Sequence, residues 1–437
     1  MTSRALRGST TSKHRKVATP DAPSADRAVW ADAAKGLCIL LVVSWHVIWK
    51  HYLYVDWELP IPLPEAWSVF GRMLLPMRMP LFFAISGMFA AAAVHRPWAV
   101  VTRTRVARFL YLYIVWLLVH TAVMAPVPVP FDTEIARDGA QLLEQLTMTP
   151  TALWYLMALA VYFVIAKLLR TVPAAPVLAV AFVLSAASAA NWIDSPGNRG
   201  ALYQNLLFFL AGLYLRRHVV DLADRTSWVR VAVTGAALGA VLAAMVGLNA
   251  KEVPGVWPVS GAIGTVFGIT VMAKLSGVRR IGRPMAALGR QTLPIYVIHM
   301  PALVLAHWAL LGPLGAGPLP VRFGLAVLEP VLLTAALVGV SLGLQALAHR
   351  VRAGWLFELP GGATSVAAAA AADAPQAPPV ADPTVPIPVV PIAHVRASWP
   401  DDDVTMPVYA SLRPHADALT MPMPRVRAET AAASWTR

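Results

Sequence analysis

The chain has 437 residues, 57% of them apolar and only 14% charged, with a mean hydropathy of +0.60. That composition excludes a soluble protein and describes an all-α, multi-pass protein of the cell membrane, with the lipid bilayer as its first partner. The net charge of +13 does not imply nucleic acid, because the basic residues sit in alternate loops, and the one cysteine, Cys38, excludes both a disulfide framework and a cysteine zinc cluster.

Residues 1–29 are polar and basic and form an N-terminal segment with no apolar run. The apolar stretch that opens at Trp30 is too long for a signal peptide and lacks a small-residue cleavage site, so it reads as a retained helix. Ten segments then approach the roughly 20 apolar residues that cross a bilayer. They run over 30–50, 70–94, 106–125, 151–170, 174–191, 201–216, 229–249, 256–275, 285–311 and 322–348. The fifth and sixth are the weakest, the sixth carrying Gln204 and Asn205. Without both, the count would fall to eight and leave the two ends on one side.

Lysine and arginine set the orientation. Arg4, Arg7, Lys13, Arg15, Lys16 and Arg27 precede the first span, and Arg96, Arg103, Arg105 and Arg108 follow the second. Later loops on that side repeat the pattern, with Arg216, Arg217, Arg225 and Arg230, then Lys274, Arg279, Arg280 and Arg283. The opposite loops hold far fewer. The rule therefore places both termini in the cytoplasm of a bundle of about ten transmembrane helices.

On the outer side, the loop at 51–69 is rich in tryptophan and proline, and Trp57 and Trp67 are expected to form an interfacial belt or a lid. A short amphipathic helix is expected over 134–146. After Pro360 alanine and proline dominate, and 361–437 reads as a disordered cytoplasmic tail. The transmembrane domain is thus 30–350. No repeat of 20–50 residues is visible, and nothing bears on oligomeric state.

The first span carries Asp32, Lys35 and His46. Ionisable groups in a span are costly and are functional candidates by default. Lys35 and His46 are eleven residues apart, which returns to within about 20° of one helix face roughly 16 Å further along. Asp32 lies three residues before Lys35, on the same side. One stripe therefore presents a carboxylate, an ammonium and an imidazole.

Four motifs occur in order. They are A-D-A-A-K-G-L-C-I-L-L-V-V-S-W-H at 31–46, M-P-L-F-F-A-I-S-G-M-F at 79–89, L-W-Y-L at 153–156 and L-G-R-Q-T-L-P-I-Y-V-I-H at 288–299. Together they resemble the membrane acyltransferase 3 family over about 30–350, nearest to its branch that acetylates sugar hydroxyls, such as the fucose O-acetylases. Trp45 stands where that family usually has glycine, and Pro294 interrupts the last motif and is expected to kink the helix near His299.

The resemblance implies transfer of an acyl group, usually acetyl, from acyl-CoA to a hydroxyl of a carbohydrate or glycosylated acceptor. Acyl-CoA would be a co-substrate, with no bound cofactor and no metal. In that light His46 is the expected general base, since imidazole titrates nearest the working pH. Lys35 is placed to meet a CoA phosphate, with Asp32 fixing its rotamer. Ser86 either packs helices beside Gly87 or bonds the thioester oxygen. Arg78 either snorkels, or binds an anionic acceptor or the developing oxyanion. Tyr296 and His299 share a face, and His299 either supports the base or positions the acceptor, or is a buried structural histidine. Arg103, Arg105 and Arg108 either set topology or gather CoA phosphates. His51, His95, His120, His218, His307 and His349 fall at loops or span ends and form no pattern. A transporter lined by the same polar stripe is the competing class, but the inverted symmetry common in transporters is not visible. A scaffold for the long tail is a third.

Overall fold

In hydrocarbon every backbone polar group must be satisfied within its own segment, so apolar runs of this kind fold as helices. The computed structural model describes residues 25–147, 151–195 and 197–360, and among these there is no strand. Most of the expected N-terminal segment and the expected tail at 361–437 lie outside the described residues.

The helices in chain order are α1 Ala25–Lys50, α2 Leu63–Met73, α3 Leu75–Ala93, α4 Trp98–Val101, α5 Arg108–Met124, α6 Gly139–Thr147, α7 Trp154–Leu168 and α8 Ala174–Ala189. They continue with α9 Arg199–Tyr214, α10 Arg216–Asp224, α11 Trp228–Gly247, α12 Val256–Leu275, α13 Arg279–Arg290, α14 Thr292–Gly315 and α15 Leu319–Arg350. Each of the ten expected segments is helical. Seven helices are long and apolar enough to cross: Val29–Tyr54, Leu63–Ala93, Trp98–Met124, α11, α12, α14 and α15. Helices α7, α8 and α9 have 15, 16 and 16 residues. Each spans only about 22–24 Å, short of a hydrocarbon core of about 30 Å.

Helix α1 is the centre of the bundle and packs against α3, α12, α13, α14 and α15. Two contacts bring backbones together where no side chain would fit. A Cβ at Gly289 of α13 would lie 1.7 Å from the Asp32 carbonyl oxygen, and one at Gly36 would lie 2.0 Å from the Met285 carbonyl oxygen. Similarly, a Cβ at Gly87 would meet the Phe209 carbonyl oxygen at 1.9 Å, locking α3 to α9. Gly87, of the Ser86-Gly87 pair, therefore does serve close helix packing.

Three expectations need correction. The ninth span does not begin at 285: α13 is a separate amphipathic helix that exposes Arg279, Arg280 and Arg283 and buries Gly282, Ala286 and Gly289, and α14 starts at Thr292. Trp57 is buried and donates its indole N–H to the Tyr52 carbonyl at 3.0 Å, so it belongs to the packing under the loop and not to a belt. The loop helix covers Gly139–Thr147, because 134–138 is held open by side-chain bonds such as Gln145 Nε2 to the Glu134 carbonyl.

Candidate active site

Proline decides where the helices of the site bend. Pro294 lies in the first turn of α14, where backbone N–H groups have no helical partner anyway, so it does not interrupt the helix as expected. Pro301 and Pro313 are the interior prolines, and Pro301 deprives the Val297 carbonyl of its donor. His120 of α5 supplies the replacement, its Nε2–H donating to Val297 at 2.7 Å. Pro330 of α15 likewise frees the Ala326 carbonyl, which accepts the Tyr52 hydroxyl at 2.9 Å.

With α14 held in this way, His299 faces α1. Its Nε2 lies 3.4 Å from His46 Nδ1, and the ring centroids are 5.0 Å apart. Each imidazole also points its Nδ1 at the carbonyl one turn back on its own helix, His46 to Val42 at 2.8 Å and His299 to Ile295 at 3.0 Å. A carbonyl only accepts, so both Nδ1 atoms carry protons and both Nε2 atoms carry lone pairs. The lone pair of His299 faces the Nδ1–H of His46. The Nε2 of His46 bonds no group among the described residues, and the side chain is partly exposed. This is the arrangement of a base whose tautomer is set by its neighbours.

At the other end of α1, Asp32 and Lys35 form the expected pair at 2.7 Å, and the ammonium lies 5.0 Å over the Phe89 ring. The glycine contact between α1 and α13 adds a third group. Arg290 Nη1 lies 3.8 Å from the second Asp32 oxygen. The carboxylate therefore bridges two cations, and Arg290 stays 60% exposed while Lys35 is 20% exposed.

Arg78 of α3 is buried at 7% exposure, with its guanidinium carbon 4.7 Å over the Trp45 ring, next to His46 in sequence. Among the described residues no hydrogen bond joins Ser86 to His46. Ser86 donates to the Phe82 carbonyl at 2.8 Å and lies 2.9 Å from the Tyr155 hydroxyl, which donates to it. Tyr296 donates to the Ala152 carbonyl at 2.8 Å and accepts the Tyr155 N–H at 3.1 Å, so it fastens α14 to the start of α7. Arg103 and Arg105 lie on a π-helical stretch, Thr102–Ala107, that leads into Arg108. No ion pair joins these arginines to Asp32 among the described residues; Arg105 instead lies 5.6 Å over Phe163.

Sequence reasoning passed over several residues. His51 and His307 were set aside as patternless, yet their Nδ1 atoms are 3.0 Å apart and His51 Nε2 is 3.3 Å from Glu329. All three are buried. Glu329 is a lone acid in the middle of the tenth span, and the rule that singled out His46 applied to it equally. His120 was signalled only by Pro301. Among the described residues, no three His, Cys, Asp or Glu side chains converge as metal ligands.

The family described as an acyltransferase domain, acyltransferase 3, matches residues 28–348. The chain belongs to that family. It is a multi-pass membrane protein that carries this domain over most of its length. Inner membrane protein YcfT of Escherichia coli (strain K12) is 28% identical to it over 206 residues, covering 43% of this chain and 56% of the relative. The chain thus spans little more than half the length of that relative. No solved structure matches.

Proposed function

We propose that this acyltransferase moves an acyl group of acetyl size from acyl-CoA to a hydroxyl of a carbohydrate or glycosylated acceptor, with His46 as general base. The observation that carries the reading is the His46–His299 pair. It leaves His46 Nε2 as an unengaged lone pair on the same helix that carries Lys35.

The acceptor hydroxyl gives its proton to His46 Nε2 while its oxygen attacks the thioester carbon. The imidazolium that forms keeps its Nδ1–H on Val42 and is stabilised by the facing lone pair of His299. The tetrahedral intermediate then expels the CoA thiolate, which takes the proton back from His46 Nε2 as it leaves. His299 is a positioning residue here, and Ser86 and Tyr296 hold Tyr155 and α14 in register.

Lys35 and Arg290 are offered to the phosphates of the donor, with Asp32 holding them until it arrives. Charge-assisted bonds of this kind suit a polyanion. The rise of about 16 Å from Lys35 to His46 suits the extended pantetheine arm, which would place the thioester at the imidazole. By the lysine and arginine rule, the donor enters from the cytoplasm. Arg103, Arg105 and Arg108 add positive potential on that side. The acetylating branch suggested by the motifs supports a sugar acceptor.

The test is binding of CoA to the purified full chain. Lys35→Ala should weaken it by about tenfold or more, with His46→Gln near the wild-type value. If Lys35→Ala binds CoA normally, the donor pose is wrong.

A further inference from the structure

Apart from the Trp45 ring beneath it, Arg78 has no partner for its charge among the described residues. Among the described residues no carboxylate pairs with it and no group accepts a hydrogen bond from it, and its Nε is sealed from solvent without a partner. The acids of this part of the bundle are engaged elsewhere or exposed. Asp32 holds Lys35 and Arg290, Glu58 holds Arg322 at 2.5 Å, Glu329 faces His51, and Glu65 is exposed on α2. A buried, unpaired guanidinium in a membrane span is costly and is kept for a ligand far more readily than for stability.

The side chain is also prevented from retreating. Trp45 lies under the guanidinium, and its ring centroid is 5.0 Å from that of Trp49, the two rings tilted by 30°. Arg72 covers Trp49 at 5.6 Å. Helix α2 closes over both rings at Gly71, where a Cβ would sit 3.4 Å from Trp45 and from the Trp49 indole nitrogen. That indole N–H is itself buried and unpartnered. Two buried donors, one of them charged, thus border the tryptophan that precedes His46. A planar guanidinium with free donors matches a carboxylate, sulfate or phosphate and is poorly matched to a neutral hydroxyl.

We propose that Arg78, fixed on Trp45, anchors an anionic group of the acceptor, so that the substrate is an acidic carbohydrate whose acylated hydroxyl lies near that group. This rests on the acyltransfer reading above, and it assigns Trp45, the departure from the family pattern, to acceptor specificity.

The test compares octyl glucuronide with octyl glucoside, which differ by one carboxylate, in equilibrium binding to the full chain in an uncharged detergent without donor. Wild type should bind the glucuronide about tenfold or more tighter. Arg78→Gln should abolish the preference, and Arg78→Lys should keep part of it. Ligand-free Arg78→Gln should unfold at a temperature no lower than wild type, which a purely structural arginine would not allow. Equal binding of the two glycosides by wild type, or a preference that survives in Arg78→Gln, overturns the proposal. If acetyl-CoA is never cleaved yet the preference holds, the donor reading fails and the anion anchor stands. If thiol is released and wild type does not discriminate, Arg78 serves the reacting centre and the anchor falls.

Discussion

His120 stands in for the hydrogen bond that Pro301 removes: its Nε2 lies 2.7 Å from the Val297 carbonyl oxygen. An unsatisfied carbonyl in a membrane interior costs about 1–3 kcal/mol. His120→Phe should therefore lower the stability of the full chain by about that amount. Pro301→Ala in the same background restores an N–H to Val297 and should recover most of the loss. Thermal unfolding in detergent measures both. Failure of the second substitution to rescue the first would show that His120 acts through something other than this carbonyl.

The Asp32–Lys35–Arg290 group predicts a split in kinetics. Lys35→Ala should raise KM for acetyl-CoA about tenfold and change kcat little, because a contact to a remote phosphate is equal in ground and transition states. With S-acetylpantetheine, which lacks the nucleotide phosphates, the variant and wild type should converge. Arg290→Gln should have a smaller effect in the same assay, since its side chain is more exposed.

The backbone contact at Gly289 predicts a steric penalty. A methyl group would meet the Asp32 carbonyl at 1.7 Å, so Gly289→Ala must part α13 from α1 and should cost about 1–3 kcal/mol. Gly239, on α11, has open space around it, and Gly239→Ala should leave the unfolding midpoint unchanged or raised. Thermal unfolding of the two variants side by side checks the contact.

Much of this was legible in the chain. The helices follow from apolar runs, since lipid leaves the backbone no other open-ended choice. The Asp32–Lys35 pair follows from i, i+3 spacing. The meeting of His46 with His299 does not, because the two are 253 residues apart and are joined only by how α14 docks. Arg279–Arg290 was absorbed partly into a span because its apolar end, Met285 to Leu288, runs into α14. The break appears only at Gln291, which leaves helical geometry with φ −114 and ψ 27. The meeting of His51, His307 and Glu329 stayed hidden for the same reason: they come from the turn after α1, from α14 and from α15, and no local period links them.

Glu134 predicts a pH dependence in the loop. Burial pushes its carboxyl above the usual range, opposed by Lys50 and by the Asn198 amide, which donates to it at 2.7 Å. A carboxyl raised in the folded state stabilises it while protonated, and that contribution is lost as pH rises through the raised value. The unfolding midpoint should therefore carry a component that falls as pH rises above the ordinary carboxylate range. In Glu134→Gln that component should be absent. Unfolding curves recorded from about pH 4 to pH 7 show it.

The most direct measurement is the rate of thiol release from acetyl-CoA by the purified full chain in the presence of an acceptor, for wild type and for His46→Gln. If His46 Nε2 takes the acceptor's proton, the variant should lose about a hundredfold or more in rate while binding CoA as before. A variant that releases thiol and esterifies the acceptor at the wild-type rate would contradict the role given to His46.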